Sequence, residues 1–121
     1  MKRVVIWLDD MRNPSYISNK DRIEAHMPEH DEVIWCKDHY SFNKHFRDCA
    51  LNEEVHLVGI CFDYFLNSNH VRGTDVLRLV ERKVKKLDLS PFELYAQTGS
   101  SEGRKLLHEG FKSLREHWSQ S

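Results

Sequence analysis

The chain has little cysteine, no excess of one charge and no long hydrophobic run, and each shortage removes a class of protein. Its 121 residues include only three cysteines, Cys36, Cys49 and Cys61. The number is odd and the spacing fits no zinc-ligand pattern, which excludes a disulfide framework and a small zinc module. Cys36 and Cys61 lie inside apolar runs, where cysteine acts as a small buried hydrophobe. Eighteen Lys and Arg residues oppose nineteen Asp and Glu residues, for a net charge of −1. That balance gives no general attraction to nucleic acid or to an anionic membrane. The apolar run at 4–8 is stopped by two aspartates, too early for a signal peptide or a membrane span. Free thiols without an export signal predict a cytoplasmic protein. No repeat, low-complexity tract or linker divides the chain, so its length predicts one domain.

What is present alternates between two periods. Residues 4–8 form a continuous apolar run rich in β-branched side chains, which reads as a strand buried on both faces. A polar stretch follows at 15–31, with a short helix expected over 20–26 and closed by Pro28. Residues 33–36 and 55–62 read as further strands, with Trp7 and Trp35 as core or strand-face residues. Asp38 or Ser41 is placed to cap a helix whose Phe42, Phe46 and Cys49 share one face. After Asp63 comes a loop of Asn, Ser, His and Gly, then a helix over 74–86. Phe92, Leu94 and Ala96 alternate with polar neighbours, as in an edge strand, and that edge leaves homodimerisation open. Leu107, Phe111, Leu114 and Trp118 mark a final amphipathic helix.

Strands alternating with helices predict an α/β fold with a four-stranded parallel sheet and right-handed crossovers. With strand order 2-1-3-4 and helices on both faces, it is a flavodoxin-like three-layer sandwich. Ligands bind such sheets beyond the carboxyl ends of the strands, where the order reverses. Asp9 and Asp10 leave strand one there, and Asp63 leaves strand three. The last strand delivers Gln97, Thr98, Gly99 and Ser100 to the same end.

Three carboxylates gathered together repel one another unless a cation joins them. Mg²⁺ prefers oxygen ligands and takes one or two carboxylates plus a substrate phosphate. Thr98, Gly99, Ser100 and Ser101 open the last helix, whose N-terminus attracts anions. Arg12 and Arg104 are candidates for bidentate phosphate contacts. Each residue has a plainer reading. Asp9 and Asp10 suit a turn or a cap, and Asp63 a loop. Ser100 and Ser101 suit an N-cap, and Arg104 a solvated helix face. Gly73 suits a turn and Asp75 a helix N-terminus. His39, His45, His56, His70 and His108 have no ligand partner at helical or strand spacing.

The run Leu8-Asp9-Asp10-Met11-Arg12-Asn13-Pro14 resembles the LDDxRxP opening of the cyclic-phosphate processing receiver domains, divergent relatives of the response-regulator receiver fold. The resemblance continues through Phe62-Asp63-Tyr64-Phe65-Leu66, Gly73-Thr74-Asp75-Val76-Leu77, Gln97-Thr98 and Gly103-Arg104. It implies a single receiver-like domain over 1–121, with 15–31 a variable insertion. It implies that Asp9, Asp10 and Asp63, with the backbone carbonyl of Phe65, hold Mg²⁺. Asp63 matches the phospho-acceptor position, and Thr98 matches the Ser/Thr that contacts the phosphoryl group. The implied function is binding of Mg²⁺ and a phosphate-bearing ligand, a cyclic phosphate or nucleotide, in signalling or regulation. A Mg²⁺-dependent hydrolase or transferase would use Asp63, Thr98 and Arg104 in catalysis. The chain departs from the family at Phe65, where a second acid is usual, and at Gln97, where a histidine is usual. Those departures spare metal binding more than turnover. They favour the other reading, a catalytically inactive module that acts through a protein partner.

Overall fold

The first strand sets the architecture. In the computed structural model, which describes residues 1–66 and 70–120, β1 (Lys2–Leu8) is buried from Val4 to Leu8. Buried side chains on both sides require layers on both faces of the sheet. The remaining elements are α1 (Ile17–His26), β2 (Glu32–Cys36), α2 (His39–Leu51), β3 (Val55–Phe62), α3 (Gly73–Leu87), β4 (Glu93–Ala96) and α4 (Ser101–Ser119). All neighbouring strands are parallel, in the order β2-β1-β3-β4. This is a flavodoxin-like α/β fold of three layers. Residues 67–69, within the loop expected after Leu66, lie outside the described residues.

The two faces of the sheet carry separate cores. Val4, Ile6, Leu8, Ile60 and Phe62 point to the larger one, which α2, α3 and α4 cover with Phe42, Phe46, Val76, Val80, Leu107 and Phe111. Aromatic rings bind these layers together: Phe62 lies 6.0 Å from Phe42 and 5.7 Å from Phe111, centroid to centroid. On the other face Val5, Trp7, Val58 and Cys61 meet Ile23 of α1 and Met27 just beyond it. The three cysteines are buried free thiols, and burial pushes the Cys36 thiol up to about 11. A neutral, enclosed thiol is a packing residue rather than a nucleophile.

Helix ends follow local chemistry. Asp38 caps α2, its carboxylate accepting the Ser41 N–H at 2.8 Å. Ser100 caps α4 in the same way through the Gly103 N–H at 3.0 Å. The helix α3 starts at Gly73, one residue before its expected start, because Asp75 accepts the Arg72 N–H at 2.8 Å and closes the first turn. The helix α1 starts three residues earlier than expected. The Asn13 side chain accepts from both the N–H and hydroxyl of Ser15, and the Asn13 carbonyl accepts from the Asn19 amide. That turn launches the helix from the loop after β1. Residues 15–31 thus hold the crossover from β1 to β2. Among the described residues, no helix is long and apolar enough to cross a membrane.

Candidate metal centre

Strand register brings the acids together. Leu8 pairs with Phe62, so Asp9 and Asp63 are the first residues past aligned strand ends. Backbone bonds fasten this end of the sheet. Asp63 N–H donates to the Leu8 carbonyl at 2.9 Å, Asp9 N–H to Cys36 at 3.1 Å, and Gln97 N–H to Phe62 at 2.7 Å. Asp9 is fully buried, Asp63 nearly so, and Asp10 half-buried. One carboxylate oxygen from each lies within 4.8 Å of the others. An open cleft of about 750 Å³ holds them, bordered by Arg12, Phe65 and residues 98–100.

The two buried acids differ in their partners. Asp9 Oδ1 accepts the N–H groups of Met11 at 2.9 Å and Arg12 at 2.8 Å, and Oδ2 lies 3.4 Å from the Arg12 guanidinium. Those donors stabilise its charge. Asp63 Oδ1 accepts only the Tyr64 N–H at 2.8 Å, and no protein donor reaches Oδ2 among the described residues. Burial, and then the charge of Asp9, push the Asp63 carboxyl up to about 7; the Tyr64 bond and Arg12 oppose the shift. A hard cation suits this arrangement, because it restores the charged form and uses the open oxygen. All the donors are oxygens, which matches Mg²⁺ better than a softer metal.

Two indoles stiffen the acidic turn. Trp35 Nε1–H donates to the Asp9 carbonyl at 2.7 Å, and Trp7 Nε1–H to the Arg12 carbonyl at 2.8 Å. Apolar patterning places both tryptophans in the core or on a strand face and carries no signal of these bonds. Two glycines fix the opposite wall. A Cβ at Gly73 would lie 1.8 Å from the Asp63 carbonyl oxygen, and one at Gly103 would lie 2.4 Å from the Tyr64 ring. Only glycine lets α3 and α4 approach the Asp63-Tyr64 segment this closely.

The remaining expected residues divide. Thr98 is buried at the cleft, and its hydroxyl accepts the Ser100 N–H at 3.2 Å. Gly99 and Ser100 border the cleft with it, in front of the α4 N-terminus. Phe65 stands at the rim, 53% exposed, with the Arg72 guanidinium over its ring. Arg104 donates to the Thr98 carbonyl at 2.7 Å and borders a neighbouring cavity, not the acidic cleft. Ser101 is exposed and lines neither. The histidines His39, His45, His56, His70 and His108 join no group of potential metal ligands among the described residues. Comparison with known proteins finds no matching family model, curated sequence or solved structure.

Proposed function

We propose that this protein is a receiver-like module that binds Mg²⁺ and a phosphate-bearing ligand at the carboxyl end of its sheet, in signalling or regulation. The observation that carries the reading is the meeting of Asp9, Asp10 and Asp63 within 4.8 Å beside the N-terminus of α4. Asp9 and Asp63, with Asp10, would hold the cation, and the Phe65 carbonyl is the candidate fourth oxygen. The cation supplies charge neutralisation for the phosphate. The chain's own groups orient it: the Thr98 hydroxyl donates, the first amides of α4 face the anion, and Arg12 adds a cation. A cyclic phosphate or nucleotide fits this chemistry.

The protein-contact reading also has a specific observation behind it. Met11 and Phe65 are 82% and 53% exposed, and both border the cleft. Large apolar side chains around a charged site suit a partner surface.

One titration tests the proposal. Trp35 donates to the Asp9 carbonyl, so its fluorescence reports on the acidic turn. Mg²⁺ should change that fluorescence in the wild type and not in Asp10→Asn. A silent wild type, checked by amide NMR, rejects the metal site. With Mg²⁺ present, 2′,3′-cyclic nucleotides and acetyl phosphate then distinguish ligand binding from turnover, and turnover that is lost in Asp63→Asn assigns an enzyme.

A further inference from the structure

Beside the acidic cleft lies a second cavity of opposite character, about 420 Å³ in volume. Arg12, Arg22 and Arg104 all border it, and no carboxylate does. Arg22 and Arg104 have no carboxylate partner among the described residues, and Arg12 reaches Asp9 only at 3.4 Å. All three arginines are exposed, and a cavity edged by three cationic residues and no carboxylate suits an anion. The layers of the fold assemble the cavity. His26 of α1 stacks on Tyr95 of β4 at 4.5 Å, which sets Arg22, one helical turn earlier, over the end of β4.

Gln97 supplies an independent observation. It is 6% exposed and borders the same cavity. Its backbone N–H serves the sheet, but its side-chain amide has no hydrogen-bond partner among the described residues. Its polar atoms stay accessible, so the amide offers an unused donor and acceptor at the cavity edge.

Arg12, Thr98 and Gly99 border both cavities. Gly99 offers no side chain there, and a Cβ at that position would meet nothing within 4 Å. We infer that the cavity of Arg12, Arg22, Arg104 and Gln97 is an anion subsite for a second phosphoryl group, so that the ligand spans both cavities and carries two. The subsite stands without the metal; the two-phosphoryl ligand rests on the proposed Mg²⁺–phosphate reading.

The test uses amide NMR on the whole chain. In EDTA, inorganic phosphate should shift the Gln97 side-chain amide and the Gly99 N–H in a saturable way. Arg22→Gln and Gln97→Leu should each weaken that binding about tenfold, in proportion to one lost charge-assisted bond. No saturable shift, or equal binding in Arg22→Gln, overturns the subsite. In excess Mg²⁺, pyrophosphate should bind at least about tenfold more tightly than phosphate, and Arg22→Gln should remove the advantage. Equal affinities overturn the two-phosphoryl ligand. A protein that responds to phosphate in EDTA but never to Mg²⁺ keeps the subsite and loses the metal reading.

Discussion

Replacing Asp63 with asparagine should stabilise the metal-free protein. The substitution keeps the shape and the Oδ1 acceptor for the Tyr64 N–H, and removes a charge that burial and Asp9 oppose. The carboxyl titrates near 3.8 in an ordinary environment and near 7 in this fold. At about 1.4 kcal/mol for each tenfold in proton affinity, the cost of charging it has a ceiling of about 4 kcal/mol. Water in the open cleft screens that charge, and about 2 kcal/mol is the working value. The sign depends on pH. Below the unfolded value both states hold the proton, and Asn and Asp are equivalent. Between the two values the folded wild type holds a proton that the unfolded chain has released, so wild-type stability falls as pH rises. Urea unfolding in EDTA should therefore show a small gain for Asp63→Asn near pH 4 and the full gain above about pH 8. Saturating Mg²⁺ should reverse the order, because only the wild type gains binding energy. A gain that is absent at pH 8, or that does not change with pH, would refute the electrostatic account of Asp63.

Four further substitutions test the supports of the site. Gly73→Ala sets a methyl against the Asp63 carbonyl, so it should lose about 2–3 kcal/mol in urea unfolding and weaken Mg²⁺ binding, whereas Gly99→Ala, with open space around its Cβ, should stay within about 0.5 kcal/mol of wild type. Trp35→Phe leaves the Asp9 carbonyl without its indole donor; it should cost about 1–2 kcal/mol and abolish most of the Mg²⁺-dependent fluorescence change. Asp38→Ala removes the α2 cap and should cost about 1 kcal/mol by denaturant titration, with Mg²⁺ affinity unchanged.

The parts of this fold that were legible are those where one segment carries its own signal. β1 and β3 read as continuous apolar runs because both of their faces are covered. α4 was legible because Leu107, Phe111 and Leu114 are all buried on one stripe. α1 was only partly legible, since its buried residues are just Asn19 and Ile23, and it starts on a side-chain turn. The acids at strand ends could be read because topology alone determines where strands end. Arg22 could not, because the cavity it borders exists only where α1 crosses over β4. Arg104, a candidate for phosphate contacts, donates to the Thr98 carbonyl and borders the neighbouring cavity.

The convergence of the acids depends on one irregularity that no apolar pattern shows. Between Val4/Leu57 and Val5/Gly59 the register of β1 and β3 shifts, leaving Val58 as an extra residue in β3. Side chains alternate along a strand, so if Val58 paired with Val5 in regular register, every later position of β3 would face the other way. Ile60 and Phe62 would leave the larger core, and Phe62 would no longer sit opposite Leu8. Asp63 would then come one residue late, past the end of β1 and on the wrong face. With the bulge, Gly59 comes to the α1 face, where a Cβ would lie 2.4 Å from the Met27 sulfur. The same local shift thus sets Gly59 beneath Met27 and aligns Asp63 with Asp9. Packing on one face and the acidic pair at the sheet end are therefore set together by where this extra residue falls.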